Sequence, residues 1–141
     1  MHHPMLAPVM ALILWSLAML VWMLAARIPA LGKAGIDLKT VRGGRPGALD
    51  GVLPDRTQWK AHNYIHLMEQ PTLFYATCLA LAVAGASGTA ELTLAWAYVV
   101  LRVGHSLVQA TANIVRYRFY LFAASTLVLG ALAIRAMLLV A

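Results

Sequence analysis

Two sets of polar residues carry the side chains that could do chemistry in this chain. The first set consists of His62, His66 and Glu69. The second set consists of Arg102, His105, Gln109 and Arg116. Because residues three, four or seven positions apart share one face of a helix, each set forms a stripe. A cavity between two such stripes would contain a carboxylate, histidines and guanidinium groups, and it would suit an anionic ligand that forms hydrogen bonds.

Simpler interpretations of the same residues remain open. Glu69 and Arg102 could form an interhelical ion pair without any ligand, and His62 could be an interfacial histidine. Arg116 and Arg118 could be basic residues at a helix end. The histidines and the glutamate also offer nitrogen and oxygen ligands for zinc or iron. Their spacing is not that of an HExxH motif, and the nearby arginines disfavour a cation, so we predict no metal site.

The composition limits the kind of protein that can position these residues. Of the 141 residues, 62% are hydrophobic and 11% are charged, whereas a soluble domain has about 25% charged residues. These values exclude an ordinary soluble domain, a disordered chain and a nucleic-acid-binding domain. The single cysteine, Cys78, excludes a disulfide framework and lies in an apolar run where it would be a packing residue. We therefore expect an integral membrane protein.

Four segments are apolar enough to cross a membrane, which takes about 20 residues each. The predicted spans are about 5–27, 58–85, 90–115 and 118–140. Pro71 lies inside the second span and is expected to kink it. Arg135 lies near the end of the fourth span and is expected to snorkel to the interface. The fold class is therefore all-α, an integral membrane four-helix bundle that forms one domain over residues 1–141.

The basic residues are distributed in a way that predicts the topology. Seven of the eleven Lys and Arg residues lie between positions 27 and 60, and Arg116 and Arg118 occupy the third connection. Because basic loops face the cytoplasm, we predict that the loops at about 28–57 and 116–118 are cytoplasmic and that both termini are outside. The basic residues of the first loop would face anionic lipid headgroups.

Three segments of the chain resemble the MAPEG family, the membrane-associated proteins in eicosanoid and glutathione metabolism. They are HLMEQPTLFYATC from His66, AWAYVVLRVGHS from Ala95 and NIVRYRF from Asn113. Together with the order and lengths of the spans, the resemblance covers about residues 5–140 and is greatest to bacterial members. It implies a protomer that assembles as a homotrimer in a bacterial inner membrane, with sites between protomers near the cytoplasmic face.

The resemblance also implies roles for individual residues. Glu69 would hold the γ-glutamyl amino group of glutathione. Arg116 would be the catalytic residue, because an adjacent guanidinium lowers the pKa of a thiol and favours the thiolate. The remaining glutathione-binding positions that the resemblance implies are His62, His66, Arg102, His105, Gln109 and Arg27.

Four of these positions depart from the family pattern. His62 and His66 stand where the family has an arginine and an asparagine, and His105 and Gln109 stand where glutathione-binding synthases have tyrosines. Histidine can donate similar hydrogen bonds. The resemblance therefore implies a glutathione-dependent transferase or peroxidase, with glutathione as co-substrate, that acts on hydrophobic electrophiles from the membrane.

The same substitutions keep a second interpretation open. The protein could be non-catalytic, either binding lipid or serving as an accessory subunit of a larger membrane complex. The expected partners are membrane lipids, a hydrophobic small molecule and further copies of the chain, and not nucleic acid.

Overall fold

The computed structural model describes residues 3–42, 44–45 and 47–140 and has five helical segments in this part of the chain. They are α1 (Leu6–Lys33), α2 (Asp55–Glu69), α3 (Pro71–Val83), α4 (Thr89–Thr111) and α5 (Val115–Val140). The described residues contain no β-strand. The prediction of an all-α fold is confirmed.

The helical segments α2 and α3 are the two halves of the predicted second span. Gln70 separates them but keeps helical backbone angles, with φ −59° and ψ −38°. Pro71 begins α3, and a proline has no N–H to continue the helical hydrogen bonds and crowds the carbonyl group four residues earlier. The interruption therefore lies where the sequence predicts a kink.

The Gln70 side chain ties this interruption to two other helices. Its Nε2 donates a hydrogen bond to Thr126 Oγ1 of α5 at 2.8 Å. Its Oε1 accepts a hydrogen bond from the Tyr98 hydroxyl of α4 at 3.2 Å. These two hydrogen bonds hold the interruption against α4 and α5. Helix α2 lies on the side of the long loop, and α3 lies on the other side.

The ends of α1 and α4 differ most from the predicted spans. Helix α1 continues through Pro29 to Lys33, so the connection to α2 comprises residues 34–54. Helix α4 ends at Thr111, because Asn113 adopts a left-handed backbone conformation with φ 52°. The Asn113 N–H bonds the Val108 carbonyl at 2.7 Å, which closes the helix end. Arg116 consequently lies in the first turn of α5 and is not part of the predicted stripe on α4.

The distribution of side chains is typical of a bundle surrounded by lipid. Helix α4 buries Arg102, His105 and Gln109 against its neighbours, while Trp96 and Val100 are exposed. The outward faces of α1 and α5 are likewise rich in exposed large apolar residues. A membrane favours this arrangement, with polar groups inside the bundle and apolar groups outside it.

Two helices, α1 and the 25 residues Val115–Leu139 of α5, are long and apolar enough to cross a membrane. The other two predicted spans do not form single helices that are both long enough and apolar enough. The second is interrupted, so that α2 has 15 residues and α3 has 13. The third, α4, carries polar residues that lie inside the bundle. Their passage through the membrane stays a prediction.

Arg135 has a different environment from the one expected. Its Nε lies 2.6 Å from Oε1 of Glu91, which is 3% exposed at the start of α4. The sequence predicts that Arg135 snorkels, but the structure shows it paired across the bundle, because α4 and α5 are antiparallel and bring these two residues to the same end. This is the end of the bundle away from the 34–54 loop.

Candidate functional site

A pocket of about 250 Å³ opens at the end of the bundle near the long loop. It lies between α2, α4 and α5, and its walls are His66, His105, Val115, Arg118, Phe119 and Phe122. The pocket exists because the α4–α5 turn places the start of α5 beside the second half of α4, opposite α2. We refer to it as the histidine pocket.

The pocket brings together one histidine from each of the two predicted stripes, His66 and His105. The His66 and His105 rings are arranged edge to face, with centroids 6.0 Å apart. His66 Nδ1 lies 3.0 Å from Oε2 of Glu69, one turn later on α2, and the Glu69 side chain is 59% exposed. His105 is buried. The structure thus places a carboxylate, an accessible imidazole and a buried imidazole within one small region.

Arg102 lies buried behind the pocket and is only 1% exposed. Its Nη2 donates a hydrogen bond to the backbone carbonyl of His66 at 2.8 Å. Its Nε and Nη1 have no hydrogen-bond partner among the described residues. The Arg102 guanidinium carbon is 5.9 Å from the centre of the Phe122 ring, a distance that permits a cation–π contact.

The predicted alternative of an ion pair between Glu69 and Arg102 is not found in the described part of the chain, where Glu69 contacts His66 instead. A buried charge without a partner is unfavourable by several kcal/mol. The Arg102 site is therefore one that an anion would stabilise.

Polar residues that the sequence analysis did not single out extend this region. Asn63 Nδ2 donates a hydrogen bond to Ser106 Oγ at 2.8 Å, and both residues are fully buried. The Asn63 Oδ1 atom has no partner among the described residues, and neither has Oε1 of buried Gln109. A signal was available in the sequence, because Asn63 falls three residues before His66 and so lies near the same helix face.

The two arginines of the α4–α5 connection have opposite environments. Arg118 is half-buried, lines the histidine pocket and donates from Nη1 to Asn113 Oδ1 at 2.6 Å. Arg116 is exposed and lies against its neighbour Tyr117, with 5.1 Å between the guanidinium carbon and the ring centre. Arg118, which the sequence analysis treats as a helix-end residue, is thus the guanidinium that the protomer itself places in the pocket.

Arg27 and His62 lie in a different place from the other predicted residues. Both line a larger cavity of about 670 Å³ between α1, the long loop and α2, which we call the loop cavity. His62 Nε2 is 3.6 Å from Asp50 Oδ1 of the loop. Four of the predicted site residues therefore divide between two cavities, His66 and His105 in one and Arg27 and His62 in the other. The other four, Glu69, Arg102, Gln109 and Arg116, line neither of them. No group of three His, Cys, Asp or Glu residues that could hold a metal ion occurs among the described residues.

The helix order, the apolar exterior and the buried polar end define an α-helical membrane protein with a small pocket at one end. The family model of the MAPEG family matches residues 5–138. The chain therefore belongs to the MAPEG family. Comparison with curated proteins and with solved structures gave no match.

Proposed function

We propose that the protein is a membrane-bound, glutathione-dependent transferase or peroxidase that acts on hydrophobic electrophiles. The observation that supports this most is the buried Arg102, whose Nε and Nη1 lack partners among the described residues beside two histidines and Glu69. Glutathione is an anion with one amino group, two carboxylates and a thiol. A region with one accessible carboxylate and several guanidinium and imidazole donors is chemically complementary to it.

In this proposal each residue type has a separate role. The Glu69 carboxylate accepts hydrogen bonds from the γ-glutamyl amino group, and His66 orients that carboxylate. His105 lines the pocket beside the anionic part of the peptide, and Arg102 contributes its positive charge from behind the His66 backbone. A guanidinium beside the thiol favours the thiolate and lowers its pKa from about 8.5. The thiolate attacks the electrophile to form a carbon–sulfur bond, and the electron pair of the broken bond moves onto the leaving atom.

Two arginines are candidates for the thiol. The family resemblance assigns this role to Arg116, whereas the position in the pocket favours Arg118. Arg116 and Glu69 are both exposed on the protomer, so a neighbouring copy could bring the former to the latter. We propose a homotrimer with sites between protomers, in a bacterial inner membrane with the 34–54 loop in the cytoplasm.

Calorimetry with the detergent-purified protein tests the proposal. We expect saturable binding of glutathione at pH 7 with release of protons, measured by comparing buffers that differ in ionisation enthalpy. S-methylglutathione is the matched control, since it has no thiol and should bind without that release. Absence of binding at millimolar glutathione would contradict the proposal, and Glu69→Gln should weaken binding without altering the proton count.

A second candidate function is a non-catalytic lipid-binding protein or accessory subunit. The observation in its favour is the 3.0 Å contact between His66 and Glu69, because the carboxylate that would hold an amine already has a partner in the protomer. Co-purification of a stable partner protein in fixed stoichiometry, with no turnover of a model electrophile, would favour this candidate.

A further inference from the structure

The loop cavity is larger than the histidine pocket and has a different character. Its walls are apolar over most of their length and include Leu31, Leu38, Val41, Leu49 and Ile65. Two arginines, Arg27 on α1 and Arg45 on the loop, line the same cavity. A volume of about 670 Å³ falls within the 300–1,000 Å³ range typical of small-molecule sites.

The charges in this cavity favour an anion. The carboxylate of Asp50 already accepts a hydrogen bond from Gln58 Nε2 at 2.7 Å, and His62 lies 3.6 Å from it. Arg27 and Arg45 form no ion pair or side-chain hydrogen bond with other described residues. The cavity thus contains two guanidinium cations against one carboxylate, and most of its other lining residues are apolar.

The position of the cavity identifies the kind of molecule that can enter it. Exposed apolar residues of α1 continue as far as Ile28, beside Arg27, and the predicted topology puts this level near the boundary of the membrane. The loop itself alternates exposed apolar Leu38 and Val41 with the basic residues Lys39 and Arg42. Segments with this alternation rest among lipid headgroups and contact both phosphates and acyl chains.

We propose that the loop cavity binds one anionic phospholipid from the surrounding leaflet. Its phosphate is held by Arg27 and Arg45, and one acyl chain lies along Leu31, Leu49 and Ile65. Two guanidinium groups are suited to a phosphate because they form charge-assisted hydrogen bonds with it. This site goes beyond the proposed function, because it requires neither glutathione nor the histidine pocket.

Native mass spectrometry of the delipidated, full-length protein tests the proposal. Phosphatidylglycerol and phosphatidylcholine with identical acyl chains are the two probes. We expect one phosphatidylglycerol per protomer, retained at least about tenfold more strongly than phosphatidylcholine, because tenfold corresponds to the loss of a single good charged contact.

The double variant Arg27→Gln/Arg45→Gln should remove this preference. Its matched control is Lys39→Gln/Arg42→Gln, which removes the same charge from the same part of the chain at positions that do not line the cavity. The control should retain the preference within about twofold. The single variant Arg45→Gln changes only an exposed loop residue, so its fold is not at risk, and it should lose part of the preference.

Three results would overturn the proposal. Equal losses in the two double variants would show that the surface charge of the loop attracts lipid without a specific site. Equal retention of phosphatidylcholine would show that no phosphate-selective site exists. Displacement of the lipid by millimolar glutathione or inorganic phosphate would show that the cavity takes a soluble anion. Glutathione binding to the single variant Arg45→Gln, measured separately, distinguishes failure of this proposal from failure of the proposed function, because Arg45 is not among the residues assigned to glutathione.

Discussion

The two ends of the bundle hold buried charges in opposite ways. At the end away from the loop, buried Glu91 is paired with Arg135 at 2.6 Å. At the loop end, buried Arg102 donates to a backbone carbonyl and has two donor atoms without partners in the described part of the chain. One end therefore has its buried charge paired within the protomer, whereas the other has a buried guanidinium without an ionic partner among the described residues. The difference separates a structural ion pair from a candidate binding site.

The largest expected effect comes from breaking the ion pair between Glu91 and Arg135. Arg135→Met leaves the Glu91 carboxylate without its cation, and because Arg135 is half-exposed we expect the free energy of unfolding to fall by about 1–2 kcal/mol. The double variant Glu91→Gln/Arg135→Met should recover most of this loss, because neither charge remains. Unfolding in mixed detergent micelles measures all three proteins. A loss below about 0.5 kcal/mol in the single variant would show that the pair contributes no more than an exposed one.

The next largest expected effect is a loss of activity when one of the two arginines of the α4–α5 connection is replaced. Arg118→Gln should lower kcat/KM for glutathione with a model electrophile about tenfold at pH 7, and Arg116→Gln should lower it less. Without the guanidinium the pKa of the bound thiol rises toward about 8.5, so the activity of Arg118→Gln should recover as the pH is raised above that value. A general loss of structure would not be reversed at high pH, so the pH–rate profile distinguishes it from a raised thiol pKa.

The opposite ranking would also be informative. If Arg116→Gln shows the larger loss and the pH shift, the thiolate lies at the exposed arginine. The site would then be completed by a neighbouring protomer, as the family resemblance implies. Either ranking requires that wild-type protein turns over the electrophile.

A smaller effect is expected at the loop end of the bundle, where Arg102 has no ionic partner among the described residues. Arg102→Met removes an uncompensated buried charge along with one hydrogen bond to a carbonyl group, and these contributions have opposite signs. The free energy of unfolding without ligand should therefore change by less than about 1 kcal/mol. A loss as large as that of Arg135→Met would show that Arg102 already has a stabilising partner within the protein.

The smallest effect concerns the residue that anchors Arg118. Asn113→Gly keeps the left-handed turn, since glycine adopts positive φ freely, but removes the oxygen that accepts from Arg118. We expect turnover to fall about threefold with the melting temperature nearly unchanged. Asn113→Ala is the control for the backbone, because it removes the same oxygen and also strains the turn. Equal melting temperatures for both variants would contradict the role assigned to positive φ.

Sequence patterns were sufficient for the helix class, the helix order and the interruption at Pro71, because hydropathy and proline chemistry act locally. They also placed His66 and His105 in one region. They failed at the end of α4, since the left-handed conformation of Asn113 leaves no trace in hydropathy. They missed the Glu91–Arg135 pair and the bond from Arg102 to the His66 carbonyl, because these join residues 44 and 36 positions apart along the chain.

The measurement that tests the central claim most directly is thermal unfolding of the wild type and Arg102→Met, each with and without millimolar glutathione. If glutathione supplies the anion that completes the loop end, it should raise the melting temperature of the wild type and leave that of the variant nearly unchanged. An equal rise in both proteins would contradict the role assigned to Arg102. No rise in either would contradict the proposal that glutathione is the ligand.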